Sequence, residues 1–193
     1  MCITSFKYDS NISLEEKIIW YEKSFLGKYI IDNHDIYYYP IIGGSCMVVY
    51  ISKELKNNIL ESCNRYGYDL QHLTVDIFSA NHAVHIYNNS LEDNYILWKI
   101  GKNKQHYLLY YEKKVLKHYL NFKHGKGIDC IQSIGEKSLR DDLIKLVDAL
   151  INSNDSEINF NLYSKIYLYQ SKANTVLLEK IFSGDKDNII IMD

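Results

Sequence analysis

Three apolar and aromatic runs follow one another with only short charged turns between them, and this limits the fold of the chain more than any other feature. They read NYILWKIG (94–101), QHYLLYYE (105–112) and VLKHYLNF (115–122). Each is rich in β-branched or aromatic residues, so the spacing predicts a three-strand antiparallel meander. After a Gly-containing loop, SLRDDLIKLVDALINS places Leu139, Leu143, Ile144, Leu146, Val147, Leu150 and Ile151 on one broad helix face, with Ser138 and Asp141 as its start signal. A strand KIYLY, a helix ANTVLLEKIF and a strand NIIIM complete the series. The resulting order, β-β-β-α-β-α-β, calls for an α/β fold with a mixed sheet and helices on its faces.

Upstream, Ser13 and Glu16 form a capping-box pattern, and Gly27 offers a left-handed stop, which predicts a helix over 14–26. HDIYYYPII and SCMVVYIS are β-rich runs separated by Gly43-Gly44, a pair suited to a tight primed turn. Pro40 cannot donate to a ladder, so its strand belongs at a sheet edge. KELKNNILESCNRYG carries Leu55, Ile59, Leu60, Cys63 and Tyr66 at helical spacing, with Ser52 as cap and Gly67 as terminator. LQHLTVDIF reads as a strand and SANHAVHIY as a short helix. The polar stretch NNSLEDN is the natural boundary, dividing a shortened α-β-β-α-β-α unit (1–88) from the second unit (89–193). A chain of 193 residues suffices for two such subdomains.

The residues exclude several function classes. With 47% hydrophobic and 24% charged residues the chain should fold, and a net charge of -2 gives no global drive toward nucleic acid. Tyr37-Tyr38-Tyr39 and Tyr110-Tyr111 supply fewer base-stacking groups than they suggest, because alternation sends neighbours to opposite faces. Cys2, Cys46, Cys63 and Cys130 lie too far apart for a zinc motif and read as reduced thiols. His82 and His85 share a helix face but have no third ligand nearby in sequence. GKNK and HGKGID lack phosphate-loop spacing. A metal nuclease would need clustered carboxylates, and Asp76, Asp129, Asp141 and Asp142 lack a central partner because Lys99 takes that place. No targeting segment and no bilayer-length apolar run is visible, so a cytoplasmic protein is expected.

The meander-and-crossover order is that of the ribonuclease-H-like fold used by actin-like ATPases. More specifically, LEEKIIWYEKSFL followed by MVVYISKELKNNILESCNRYGYDLQHLTVDIFSANHA resembles the type IV pilus assembly protein PilM family, which includes the cytoplasmic region of the type II secretion protein GspL. The matching features are Ser52 to Leu55, Gly67, Val75-Asp76 and Ser79-Ala80, and the likeness extends from about Leu14 to Ile191. The resemblance implies an ATP site with a phosphate hairpin in each half, and this chain departs from it. The residues before Leu14 are too few for the first hairpin. The acid-φ-Gly of the second becomes Lys99-Ile100-Gly101, and the glycine pair near the adenosine becomes Gln170-Ser171. An ammonium cannot hold Mg²⁺, and side chains now stand where bare backbone would approach a ligand.

Lys99, Gly101, Gln170 and Ser171 are therefore vestigial nucleotide-site positions, with no cofactor, metal or catalytic residue expected. With these departures, the expectation is a non-enzymatic scaffold of the kind the resemblance points to, at a cytoplasmic membrane-associated complex, peripheral to the inner membrane without inserting into it. Its expected partner is a protein, such as a short cytoplasmic segment of an inner-membrane protein; self-association is a further expectation. The alternative is a reduced ATPase or kinase that completes its nucleotide site by oligomerisation. A nucleic-acid-binding module is the third reading.

Overall fold

A computed structural model describes residues 2–9, 11–41, 44–70, 73, 76–87, 94–152, 165–170 and 188–192. The chain divides into two compact units, Met1–Thr74 and Val75–Asp193. The proposed break at 88/89 falls in residues outside the description, and helix α4 groups with the strands that follow it.

In the first unit β1 (Cys2–Lys7), β2 (His34–Ile41) and β3 (Ser45–Ser52) form an antiparallel sheet in the order β1-β3-β2, with helices α1 (Leu14–Ser24), α2 (Lys28–Asn33) and α3 (Lys53–Arg65). Strand β2 is an edge strand, as Pro40 requires. The capping box is present in full: Glu16 N–H donates to Ser13 Oγ, and Ser13 N–H donates to Glu16 Oε2. Ser52 Oγ likewise accepts from Leu55 N–H to start α3. Phe6, Cys46 and Val48 of the sheet pack against Tyr21 of α1 and Leu26, and Tyr38 donates to Glu22 at 2.7 Å to tie α1 to β2.

Two expectations are corrected here. Gly27 is not a left-handed stop: its φ is -61°, and it is the N-cap of α2, so α1 ends at Ser24. Strand β1 is an addition to the elements expected from the sequence, and its partner β3 lies some forty residues on. The strand expected over LQHLTVDIF does not form at its end, where Asp76 to Phe78 open α4 (Asp76–Tyr87).

In the second unit β4 (Asn94–Ile100), β5 (Gln105–Glu112), β6 (Val115–His124), β7 (Ile128–Ile134), β8 (Lys165–Gln170) and β9 (Ile189–Ile191) form one sheet in the order β7-β6-β5-β4-β8-β9. Strands β4 to β7 are an antiparallel meander, and β8 and β9 run parallel to β4 on its other side. The mixed α/β sheet matches the sequence reading, with one addition. Strand β7 occupies the segment where the sequence predicts a Gly-containing loop; its register slips opposite Asn121 and Phe122, and the extra residue interrupts the alternation. Helix α5 (Lys137–Asn152) starts at Lys137, placing Ser138 inside its first turn. Its Leu143, Leu146, Val147, Leu150 and Ile151 cover a sheet face made of Ile96, Trp98, Ile100, Leu108, Leu120, Phe122, Ile166 and Leu168. Full burial of such side chains contributes about 1.5–3 kcal/mol each before entropy is counted. The helix expected over ANTVLLEKIF lies outside the described residues. No helix among the described residues is long and apolar enough to cross a membrane.

Candidate functional site

In an open α/β sheet the chemistry-bearing crevice lies beyond the carboxyl ends of parallel strands, at the point where the chain changes direction of travel across the sheet. Here that point is the junction of β4 and β8, because the chain runs from β4 outward to β7 on one side and through β8 to β9 on the other. Pairing sets Lys99 beside Tyr169 and Ile100 beside Gln170. Three of the four positions singled out from sequence, Lys99, Gly101 and Gln170, thus meet at one corner although some seventy residues separate them. Ser171 lies outside the described residues.

Ile100 points into the α5-covered core, so Lys99 and Tyr169 project from the opposite face. On that face Lys99 pairs with Tyr107 of β5, and its Nζ lies 5.6 Å from the centre of the Tyr107 ring. Burial lowers the pKa of the Lys99 ammonium. Cation–π attraction in a partly desolvated place is worth about 1–2 kcal/mol and holds the amine against the sheet.

Gly101 serves the hairpin itself. Its N–H donates to Gln105 O at 2.9 Å, and a Cβ there would meet that same oxygen at 2.5 Å. Between them Asn103 and Lys104 adopt positive φ. Gly101→Ala is expected to destabilise the protein by about 2 kcal/mol, because the clash is with backbone that cannot swing away. Urea denaturation checks this, and an unchanged midpoint would contradict it.

The same face collects six tyrosines: Tyr95 from β4, Tyr107 and Tyr111 from β5, Tyr119 from β6, Tyr167 and Tyr169 from β8. Tyr95 stacks on Tyr111 at 4.9 Å and meets Tyr167 edge-on. The Tyr95 hydroxyl donates to Asn81 of α4 at 2.8 Å, with His85 Nε2 at 3.4 Å. Burial is the first cause raising the phenol pKa of Tyr95, Tyr119 and Tyr169, and the Tyr169 hydroxyl is buried with no hydrogen-bond partner among the described residues. Even spacing along strands, four in Tyr107-x-x-x-Tyr111 and two in Tyr167-x-Tyr169, was the available signal; the gathering across strands needed the register.

The α5-covered face holds a His106–His124 pair and a His118–Ser133 contact, neither of them signalled by sequence spacing. Trp98 Nε1–H donates to His106 Nδ1 at 3.2 Å, and His106 Nε2 meets His124 Nδ1 at 3.1 Å. An indole nitrogen only donates, so His106 Nδ1 holds the lone pair and Nε2–H donates onward to His124. That tautomer disfavours metal binding through Nε2, since a neutral imidazole ligated there carries its proton on Nδ1, facing another donor. His118 Nε2 lies 2.9 Å from Ser133 Oγ, a separation suited to a nucleophile and base. Burial pushes the His118 pKa down to about 4, with Arg140 adding to it, and its Nδ1 has no partner among the described residues. So weak a base activates a hydroxyl poorly.

The other candidates disperse. Asp76 opens α4, Asp129 lies exposed on β7, Asp141 pairs with Arg140 at 2.8 Å, and Asp142 lies 3.8 Å from Lys145. His82 and His85 share α4, and His85 turns to Tyr95. No group of three or more His, Cys, Asp or Glu among the described residues could hold a metal ion. No protein-family model and no curated protein matches the chain.

Proposed function

We propose that this chain is a non-enzymatic module with a ribonuclease-H-like, actin-like fold that binds a protein partner at a cytoplasmic, membrane-associated assembly of the pilus or secretion type, as in PilM and GspL. The observation that carries this reading is the β4–β8 corner. Where the resemblance calls for a metal-holding acid, Lys99 lays its ammonium against Tyr107, and the Gly101 amide expected to approach a phosphate donates instead to Gln105. A second support is topological: a hairpin meander from β4 to β6 with β8 and β9 laid parallel to β4 is compatible with the strand order that the resemblance implies.

ATP with Mg²⁺ is expected to give no saturable heat and no thermal shift. Light scattering after size exclusion is expected to return the same mass with and without nucleotide. A thermal shift abolished by Lys99→Ala, or a mass that changes with nucleotide, would favour the reduced ATPase and overturn the proposal. Peptides covering cytoplasmic segments of inner-membrane proteins supply the positive arm, in which at least one saturable binder is expected.

A further inference from the structure

Helix α1 spends one stripe on its own core and leaves a second unused. Leu14, Ile18 and Tyr21 pack toward the three-strand sheet. Glu16, Ile19, Trp20 and Lys23, spaced i, i+3, i+4 and i+7, share the outward face, and all four are exposed. Ile19 and Trp20 are about half exposed, at 51% and 48%, and Phe25, at 64%, stands edge-on to Trp20 at 5.1 Å. Lys17 holds its ammonium 4.9 Å over the Trp20 ring. Three large exposed apolar side chains thus gather on the outward face of α1 and at its C-cap.

The order of these four residues identifies what fits against them. Acid, isoleucine, tryptophan, base is a pattern that complements itself when reversed. Two copies laid antiparallel about a two-fold axis between Ile19 and Trp20 set each Glu16 opposite the other copy's Lys23 and each Ile19 opposite the other copy's Trp20. Two ion pairs then bracket an apolar centre, the arrangement an isologous contact requires. Glu16 keeps its capping bond from Ser13 through Oε2, which leaves Oε1 for the lysine. A parallel arrangement would set like charges together and is disfavoured.

We propose that α1 is a homodimer surface, with a second copy of this chain as its occupant. The contact is short, which puts the dimer in the weak, reversible class. The inference stands apart from the proposed function, since it uses no residue of the β4–β8 corner.

Sedimentation of the full chain across a concentration series tests it. Trp98 is fully buried, so acrylamide quenching reads Trp20, the other of the two tryptophans, and is expected to fall as concentration rises. Lys23→Glu, which touches no cap, is expected to weaken association about tenfold or more, and Trp20→Ser at least as much. Glu16→Lys alone should weaken it similarly, while the double swap Glu16→Lys with Lys23→Glu should restore it to within about threefold, because the pattern complements itself again. Far-UV circular dichroism confirms that α1 persists in each variant. A monomer at every concentration would overturn the proposal, as would a dimer indifferent to the single changes or one that the double swap fails to restore. Quenching that responds only to added vesicles or to another protein would assign the face to that occupant instead and equally overturn it.

Discussion

Acidification from pH 7 to pH 4 is expected to unfold the six-stranded unit at a urea concentration that leaves it folded at neutrality. The cause lies in two fully buried imidazoles, His106 and His118. Burial pushes each down from 6.5 to about 4, with His124 adding to the effect on His106 and Arg140 to that on His118. In the unfolded chain both titrate near the ordinary value of about 6.5. Below that pH the unfolded state takes up protons that the folded state refuses. Stability is therefore complete above pH 6.5, falls as pH drops toward 4, and levels off below.

The interval corresponds to about 3 kcal/mol for each ring, so the pair reaches the order of a whole domain's net stability. Structure gives the same sign independently, because protonating His106 sets an N–H against the Trp98 N–H that now donates to it. Urea midpoints measured between pH 7.5 and about 5.3, above the range where most carboxylates titrate, check the prediction. His118→Leu is expected to remove about half of the slope, and a flat profile across that window would refute the account.

Gly135→Ala is expected to lower stability by about 4 kcal/mol, the largest effect of a single methyl in this unit. Gly135 has φ +129°, a region that L residues rarely enter. A Cβ there would also lie 2.4 Å from His118 Nδ1 and 2.7 Å from Lys117 O. Neither atom can retreat, since Lys117 O belongs to strand β6 and the His118 ring is buried and hydrogen-bonded to Ser133. Backbone strain and overpacking each contribute about 1–3 kcal/mol. Gly67→Ala is the matched control: φ is +74°, but nothing lies within 4 Å of the added carbon, so about 1 kcal/mol is expected. Equal shifts in the two urea midpoints would show that contact with His118 plays no part. A His118→Ala background should recover part of the loss at Gly135 and none at Gly67.

Local features of the fold were legible in the sequence. The capping box at Ser13 and Glu16, the cap at Ser52, the edge position of Pro40 and the meander from β4 to β6 each depend on residues within a turn or a strand of one another. The misses share a different property. Strand β1 is defined by pairing with β3, and β7 by a bulged register against β6, so neither has a signal within its own residues. At the candidate site, the chemistry of Lys99, Gly101 and Gln170 was readable, while their meeting place was not.

By itself the sequence determined the alternation of strands and capped helices and the presence of an amine, Lys99, near the end of β4, since propensity, capping and side-chain chemistry act over a few neighbouring residues. Tertiary structure alone decided that six tyrosines share one face, that His106 and His118 are fully buried, and that the Gly101 amide binds its own hairpin. Those outcomes depend on strand register and burial, which arise from contacts between residues far apart along the chain.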